Sequence, residues 1–442
     1  MNKDVTISDF LNGDYKRYAM YVIESRAIAS IIDGFKTVNR KIIFVAEKST
    51  RKEKCKVNVL SGRVIAEAQY HHGNVSCEDG IVKMVQKFKN NIPLLDDIGS
   101  FGSLRNPYAA SSRYTSTRLS PIFDFIFKDE YLLDHNKVDG ISCEPKFYLP
   151  IIPMLLVNGS TGIAIGFASN ILSRSPLNII ECCQNHLNGK KMIISPPITY
   201  GFNGVFKNDE DNHKRWEILG KYEIKGRDIH VTELTVSMTY EKYEKILDDL
   251  VDRSVIKSYK DNGRGFINYI IKVDDKFLKL DSFDILKKLK LVEYETENYT
   301  TLDECGKLKI FENTSDIIKY FVDFRLAFYD KRKEFMLNKM NNDLKVLANR
   351  GRFIKAILDG KLKVNNVAKA QIIEGIELMN LDKIDDSYDY LLRMSIYSLT
   401  KEMYDKLKED FTIKKEEIKT LEATYPKDMY ILDLNELKKK FK

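Results

Sequence analysis

The chain has 442 residues, of which 43% are hydrophobic and 31% charged, so it can bury sizeable cores and should fold as about two to four domains. Its net charge of +7 favours a polyanionic partner only where basic residues cluster. The six cysteines form no CxxC pair and no ligand spacing with the six histidines, which excludes a zinc site or disulfide framework. We expect no metal site in this chain.

The longest apolar run, residues 150–157, is short and broken by prolines, so it does not predict a membrane span. Residues 1–10 lack the apolar core of a signal peptide. We therefore expect a soluble cytoplasmic protein with no membrane partner.

Residues 1–24 are mixed in polarity and rich in tyrosine, which indicates an N-terminal arm or helix that docks on another surface. From Arg26 to Phe44, apolar residues recur at helix-like spacings that Asp33-Gly34 interrupts. This pattern predicts two short helices joined by a glycine turn, as in a helix-turn-helix reader of DNA. Many helix pairs of this kind bind nothing, so the pattern alone leaves both interpretations open.

Residues 36–63 hold most of the net charge of the chain. This segment contains nine basic residues and only two acidic residues, Glu47 and Glu53. Clustered cations neutralise phosphates and release counterions, so the segment predicts an electrostatic footprint on DNA, with a solvated surface as the alternative. The basic residues are Lys36, Arg40, Lys41, Lys48, Arg51, Lys52, Lys54, Lys56 and Arg63.

Residues 99–121, GSFGSLRNPYAASSRYTSTRLSP, read as an irregular loop because glycine and proline interrupt regular structure. Hydroxyl side chains surround a single tyrosine, Tyr114, which Arg113 precedes. A phenol with a pKa of about 10 is a poor nucleophile unless a cation or base stabilises the phenolate. An Arg-Tyr dipeptide in this setting indicates nucleophilic chemistry. An isolated Arg-Tyr dipeptide without this setting would indicate a tyrosine ring packed on the core.

Two imidazoles, His71 and His72, precede Gly73 and a segment with helical apolar spacing that includes Ile81 and Val85. Residues 151–171, IIPMLLVNGSTGIAIGFASNI, predict a strand, a turn at Asn158-Gly159 and a second strand.

Residues 200–312 alternate short strands with charged helices, which predicts an α+β accessory domain. The acidic triplet 209–211 lies in a polar loop and reads as solvated surface. Two apolar series with spacings of three and four flank residues 359–397 and predict helices that return antiparallel as a coiled coil. The first series is Leu337, Met340, Leu344, Leu347, Gly351, Ile354 and Leu358. The second is Leu407, Phe411, Lys414, Ile418 and Leu421, and only Lys414 interrupts its apolar character.

Four of these motifs, in this order, resemble the breakage-and-reunion subunit of type IIA DNA topoisomerases, the gyrase A-like family. RAIASIIDGFKTVNRK is similar to the opening R-x-(I/L)-P-x-V-x-DG-(F/L)-KP-x-x-R-(R/K) of the cleavage module, with Ala29 and Thr37 in place of two prolines. YHHG, AASSRY and NGSTGIAIGFASNI match the later motifs, in the form nearest the eukaryotic members. In its size, and in having the cleavage region on a chain of its own, the protein resembles the bacteriophage members of the family. If a phage encodes it, we expect it in the cytoplasm of the host cell.

The resemblance implies an α+β multidomain fold. We expect an arm at 1–24, a winged-helix or helix-turn-helix DNA-cleavage domain at 25–152, a β-rich tower that bends DNA at 153–312, and a tail at 426–442. A long antiparallel coiled coil would occupy 313–358 and 398–425, with a globular dimer gate at 359–397.

The resemblance also implies roles for individual residues. Tyr114 would attack a DNA phosphodiester, with Arg113, His72 and the weaker candidate Arg40 stabilising charge on the phosphate. The residues implied in DNA binding are Arg26, Lys36, Lys41, Lys56, His71 and Ile171, the last as the exposed isoleucine of the bending ridge.

The chain contains no GxxxxGK[ST] phosphate loop and no Glu plus DxD acidic set. We therefore expect a separate subunit, or more than one, to carry the ATPase and TOPRIM domains and to bind both ATP and Mg²⁺. Because the sequence ends at Lys442, soon after the coiled coil, we expect no DNA-wrapping domain and relaxation rather than supercoiling. The other partners implied are double-stranded DNA and a second copy of this chain.

A different class of function is a non-catalytic architectural DNA-binding protein on the same scaffold. The intact Arg113-Tyr114 pair and His72 argue against it.

Overall fold

The computed structural model describes residues 6–263, 265–384 and 386–441. Residues 1–5 of the predicted arm, Asp385 of the predicted gate and Lys442 of the predicted tail lie outside the described residues. Helices and antiparallel strands both contribute, which confirms the mixed α+β class. Within the described ranges, no helix is long and apolar enough to cross a membrane.

Contacts divide the chain into two compact units. The first comprises Met1–Arg325 and Ile431–Lys442, and the second comprises Leu326–Tyr430. All the candidate site residues named above belong to the first unit.

The N-terminal arm is helical over residues 7–27. It contains helices α1, Ile7–Phe10, and α2, Lys16–Val22, each followed by a π-helical segment, Leu11–Tyr15 and Ile23–Ala27. Thr6 caps the first turn by accepting a hydrogen bond from the backbone N–H of Asp9 at 3.1 Å. The C-terminal end of the arm is anchored in a small apolar core formed by Ile23, Ala27, Ile28 and Leu302.

Three packed helices follow the arm: α3, Thr37–Ser49, α4, Val57–Glu67, and α5, Asn74–Val85. Their inner faces are apolar and fully buried, so this small bundle is stabilised by burial of its inner faces rather than by propensity alone. The side chains that form its centre are Ile42, Ile43, Val45, Leu60, Val64 and Ile81.

The predicted helix between Ala27 and Gly34 is wrong. Residues 28–36 form an extended segment and turn in which the buried Asp33 carboxylate accepts from the backbone N–H of Phe35 at 3.0 Å and of Tyr148 at 3.1 Å. Gly34 has φ +73°, and a Cβ there would lie 2.6 Å from the backbone nitrogen of Leu155. These contacts favour a turn over a helix.

Short elements connect the bundle to the rest of the unit. They are β1, Cys55–Lys56, paired with β2, Ser116–Thr117; α6, Phe123–Ile126; β3, His135–Val138, paired with β4, Ile141–Pro145; α7, Met154–Asn158; and β5, Ser160–Ile163, paired with β6, Ala168–Ile171.

The first strand predicted in residues 151–171 is wrong, because α7 occupies that position. Met154 through Val157 are all buried, so the segment has no polar face, and periodicity cannot separate such a helix from a buried strand. The hairpin lies later, in β5 and β6.

Residues 176–310 carry most of the sheet structure. The elements are α8, Pro176–Leu187; β7, Val205–Asn208; β8, Arg215–Leu219; β9, Lys221–Lys225; β10, Asp228–Glu233; α9, Tyr240–Asp252; β11, Ser258–Asp261; β12, Tyr269–Lys272; α10, Ser282–Lys288; β13, Val292–Thr296; β14, Thr300–Leu302; and β15, Leu308–Ile310. Their sheets have the orders β11-β12-β10-β9, β13-β8-β7 and β14-β15, all antiparallel. Helices α9 and α10 pack on the four-stranded sheet through a core that includes Ile229, Tyr243 and Ile285.

The last helices are α11, Thr314–Leu358; α12, Lys369–Leu378; α13, Asp389–Leu392; α14, Lys401–Ala423; and α15, Pro426–Lys438. In the second unit, Lys333 of α11 donates to the carbonyl oxygens of Glu422 and Thr424 at 2.8 and 2.9 Å. Further along α11, Leu347 lines a 320 Å³ cavity with Leu407 of α14. As the residue number rises along α11, the residue number of its contacts on α14 falls, so the two helices run antiparallel.

Candidate functional site

Tyr114 lies on an exposed turn whose backbone is fixed. The side chain is 76% exposed, whereas Thr115 and Thr117 beside it are fully buried. β2 pairs with β1 immediately before α4, and the backbone N–H of Val57 donates to the carbonyl oxygen of Thr115 at 3.1 Å. Within the turn, the backbone N–H of Tyr114 donates to the carbonyl oxygen of Ser111 at 2.8 Å. The loop thus presents the phenol to solvent from a defined position.

Arg113 stands beside this phenol. Its guanidinium carbon lies 5.5 Å from the centre of the Tyr114 ring, and its Nε donates to the Ser111 hydroxyl at 3.3 Å. The side chain is exposed. A guanidinium in this place can stabilise a phenolate and can also donate to two oxygens of one phosphate.

Arg105 anchors the same loop to the sheet region, a role that sequence analysis missed. Its guanidinium is buried, pairs with Glu233 of β10 at 2.5 Å, and donates to the carbonyl oxygens of Thr235 and Met238 at 2.5 and 2.8 Å. In return, the backbone N–H of Tyr240 donates to the Arg105 carbonyl oxygen at 3.2 Å. A buried ion pair with this many hydrogen bonds holds both partners in one arrangement.

His72 belongs to a second cluster, where the arm meets the turn before α5. Arg26 donates to Nδ1 of His72 at 2.8 Å, and the Tyr21 hydroxyl lies 2.9 Å from Nε2. The Tyr70 ring packs edge-on at 5.2 Å between ring centres. His71 is exposed and lines the same 450 Å³ cavity. The structure therefore brings Arg26, His71 and His72 together from two separate motifs.

The contacts of His72 define its protonation. A guanidinium can only donate, so Nδ1 accepts from Arg26 and carries no proton. The neutral ring then carries its proton on Nε2, and this N–H group donates a hydrogen bond to the Tyr21 oxygen. Burial, followed by the charges of Arg26 and His71, lowers the pKa of His72 below its ordinary value. Both arguments give a neutral imidazole at pH 7.

Three lysines, Lys36, Lys83 and Lys89, line a cavity of 490 Å³ beside the β5–β6 hairpin. None of the residues that line it is acidic, and Lys36 donates to the carbonyl oxygen of Thr161 at 2.8 Å. Burial, and then the charge of Lys83, lowers the pKa of Lys36 and of Lys89. An anion in this cavity would relieve that repulsion. Sequence analysis named Lys36 only, although the KMVQKFK spacing of residues 83–89 is a signal that could have identified the other two.

The structure pairs two of the predicted cations, Arg40 and Lys41, with carboxylates of the same chain. Arg40 binds the buried Asp33 carboxylate through two contacts of 2.7 and 3.2 Å. Lys41 is buried and lies 2.9 Å from the buried carboxylate of Glu144. A buried charge is stable only with a partner, so Lys41 is committed to Glu144, whereas Arg40 is half-buried and held by Asp33, and its role at the phosphate stays a prediction.

The prediction for Ile171 as an exposed ridge residue is also wrong. Ile171 is 2% exposed, whereas Ile163, at the far end of the same hairpin, is 89% exposed. Side chains alternate across a strand, so the two isoleucines fall on opposite faces of the hairpin. Gly162 lets the hairpin approach the arm, because a Cβ there would lie 1.9 Å from the carbonyl oxygen of Ala27.

Part of the basic segment stays available on the surface around the start of α4. Arg51 pairs with Asp124 at 2.7 Å, but four other cations are exposed and form no ion pair within the part of the chain that the structure describes. These are Lys52, Lys54, Lys56 and Arg63.

The structure keeps the two clusters separate within one chain. Among the described residues, no hydrogen bond, ion pair or ring contact joins Tyr114 to His72. The same residues contain no group of three or more His, Cys, Asp or Glu side chains that could hold a metal ion.

Comparison with known proteins places this geometry in a family. The sequence matches the family described as the A-type subunits of DNA gyrase/topoisomerase IV over residues 26–438. The chain belongs to this family. A relative that matches over its whole length is the DNA topoisomerase medium subunit of Enterobacteria phage T4, at 33% identity over 99% of both chains. This type of subunit was the one expected from the size and motifs of the sequence.

The chain is also similar to mitochondrial DNA topoisomerase 2 of Dictyostelium discoideum, at 34% identity over 99% of this chain and 35% of that protein. It therefore spans about a third of that relative. Among solved structures, the topoisomerase II DNA-binding, cleavage and re-ligation domain of Plasmodium falciparum superposes with a TM-score of 0.86 at 28% identity, over 98% of this chain and 64% of that one. The fold is that of the topoisomerase II cleavage-reunion region.

Proposed function

We propose that this chain is the DNA-cleaving subunit of an ATP-dependent type II topoisomerase, which relaxes DNA by passing one duplex through a transient break in another. The observation that carries the proposal is Tyr114, a solvent-exposed phenol on an anchored loop beside Arg113, in a chain of the gyrase A family.

In the proposed reaction, the Tyr114 hydroxyl oxygen attacks a DNA phosphorus and loses its proton. The bond from phosphorus to the neighbouring deoxyribose oxygen breaks, and that oxygen leaves as a hydroxyl group. Arg113 stabilises the charge that develops on the phenolate and phosphate oxygens. Resealing reverses these steps, because the phosphotyrosyl ester conserves the energy of the broken bond.

A wider surface would hold and bend the DNA. We assign backbone contacts to the Lys36, Lys83 and Lys89 cavity, to Lys56 and to Arg26 with His71. Ile163 replaces Ile171 as the apolar side chain that enters between base pairs, since it is exposed on a hairpin beside this basic cavity.

The described residues contain no group of three or more His, Cys, Asp or Glu side chains that could hold a metal ion, and we derive no step through a metal. We propose that separate subunits, with ATPase and TOPRIM domains, supply the Mg²⁺ and ATP sites. The phage T4 relative is named a medium subunit, which supports this split organisation.

We further propose that residues 25–152 are the cleavage domain, 153–312 the tower, 313–358 and 398–425 a coiled coil, and 359–397 a gate through which two copies dimerise. Leu378 and Tyr397 in the gate region are 80% and 89% exposed, as a self-association surface requires.

The test combines the chain with double-stranded DNA and Mg²⁺, with and without its partner subunits, and traps breaks with detergent. We expect double-strand breaks that carry covalently bound protein only when the partners are present. Binding and bending without any break in the full mixture would instead support the architectural alternative.

A further inference from the structure

The arm adds two polar groups to the His72 cluster, the Tyr21 hydroxyl and the Arg26 guanidinium. Arg26 donates a hydrogen bond to Nδ1 of His72, and the Tyr21 hydroxyl oxygen accepts a hydrogen bond from the Nε2–H group. Both ring nitrogens of His72 are therefore used inside the protein. The imidazole has no free donor to offer to a ligand while these contacts persist.

The proton of the Tyr21 hydroxyl has no acceptor among the described residues. If this hydroxyl donated to Nε2, the ring would carry no proton on either nitrogen, because Nδ1 already accepts from Arg26. An imidazolate is excluded at neutral pH, so the O–H bond of Tyr21 must point away from His72. The side chain is 44% exposed and lines the 450 Å³ cavity.

The cavity suits an anion. Its charged and titratable lining groups are Tyr21 and Arg26 from the arm, Lys41 from α3, and Tyr70, His71 and His72 from the turn before α5. None of the lining residues is acidic, and the charge of Lys41 is already paired with Glu144. A hydroxyl whose oxygen accepts a hydrogen bond becomes a stronger donor through cooperative polarisation.

We propose that Tyr21 is a second functional tyrosine, whose hydroxyl donates a hydrogen bond to a phosphate oxygen of the bound DNA while neutral His72 acts as the positioning residue behind it. The proposal rests on the proposed cleavage function and refines the role of His72 in it. It also gives the N-terminal arm a part in catalysis rather than in docking alone.

The test compares Tyr21→Phe with Tyr18→Phe in the complete complex with its partner subunits. Tyr18 lies on the same helix and is 56% exposed, so it is a matched control. Loss of one donor that acts on transition-state charge costs on the order of 100-fold in rate. We expect that loss of single-turnover cleavage for Tyr21→Phe, with unchanged DNA affinity, and no change for Tyr18→Phe.

The double variant Tyr21→Phe with His72→Ala separates action through one unit from independent action. We expect it to cleave no more slowly than the slower single variant. Multiplied losses, or full activity in Tyr21→Phe, would overturn the proposal. A wild-type complex that forms no covalent product would overturn the proposed function and this inference with it, whereas covalent product with full activity in Tyr21→Phe would overturn this inference alone.

Two further readouts test the protonation state of His72, on which the donor role of Tyr21 depends. Nitrogen-15 NMR of the wild-type chain should show His72 as the neutral Nε2–H tautomer at pH 7, and this measurement needs no activity. Because the pKa of His72 is lowered, cleavage should be constant above the ordinary histidine value of about 6.5 and fall as pH drops through the lower folded value. An Nδ1–H tautomer at pH 7, or cleavage that rises on acidification, would contradict the assignment.

Discussion

At the residue scale, Ile163 and Ile171 show how the direction of a side chain decides which of two isoleucines is exposed. The sequence predicts a strand pair within residues 151–171, which contain five isoleucines, but not which of them face the core. That choice depends on the tertiary neighbours of β6, where Ser169 and Ile171 are buried. Because side chains alternate along a strand, the hairpin exposes Ile163 instead.

Ile163→Ala should reduce the bend that the protein imposes on DNA and slow cleavage, with little loss of affinity, because phosphate contacts dominate binding. Energy transfer between dyes at the two ends of a short duplex measures the bend. Ile171→Ala is the matched control. It should lower the free energy of unfolding by about 2–5 kcal/mol through the cavity it leaves, whereas Ile163→Ala should leave stability unchanged. An unaltered bend in the Ile163 variant would remove this residue from the DNA interface.

The cations illustrate a second limit at this scale. Arg40 and Lys41 match the family pattern by position, yet the carboxylates that hold them are Asp33 and Glu144. Glu144 is 103 positions from Lys41, so no local pattern can reveal the pair. The Arg113-Tyr114 turn and the His71-His72 pair were identifiable because their chemistry lies within a few consecutive residues.

At the scale of elements, apolar periodicity identified α5 and the long helix α11 because each has distinct apolar and polar faces. It failed for residues 28–36, where Asp33 captures backbone N–H groups, and for α7, which is buried on all sides. Both failures come from tertiary contacts that override local pattern.

The loop that carries Tyr114 depends on Arg105 for its attachment to the sheet region. Arg105→Ala leaves Glu233 buried without its cation, so we expect a loss of about 3–5 kcal/mol in the free energy of unfolding. Arg118→Ala on the same loop is the control. Its pair with Asp96 is partly exposed and should contribute less than about 1 kcal/mol.

Urea unfolding followed by the fluorescence of Trp216 measures both losses, because Trp216 is the sole tryptophan and lies in β8 of the same unit. The double variant Arg105→Met with Glu233→Met should recover much of the loss, since it leaves no unpaired charge. Equal losses for the Arg105 and Arg118 variants would show that the buried pair does not anchor the loop.

The lysine cavity beside the β5–β6 hairpin makes a prediction about salt. Lys83→Gln and Lys89→Gln should each weaken DNA binding without regard to sequence. Each should also reduce the slope of log affinity against log salt by about 0.9 for every phosphate that the protein no longer neutralises. Lys361→Gln, an exposed lysine of the second unit, is the control. Titrations at several salt concentrations measure the slopes, and unchanged slopes for both cavity variants would exclude phosphate binding there.

At the scale of the whole molecule, the proposed reaction needs two copies of the chain, because each Tyr114 cuts one strand. We expect sedimentation of the purified chain to show a dimer at micromolar concentration without DNA. Leu378→Glu with Tyr397→Glu should shift it to monomer, since both side chains lie exposed in the proposed gate. A wild-type monomer under these conditions would count against dimerisation through residues 359–397.

The central claim is that Tyr114 forms the covalent bond to DNA, and peptide mapping of the trapped complex tests it most directly. Chain, partner subunits, Mg²⁺ and DNA are combined, quenched with detergent and digested with nuclease and protease, and the peptides are analysed by mass spectrometry. We predict a nucleotide attached to Tyr114, and none in Tyr114→Phe, which removes only the attacking oxygen. A nucleotide attached to another residue, or covalent cleavage that persists in the purified Tyr114→Phe complex, would contradict the account.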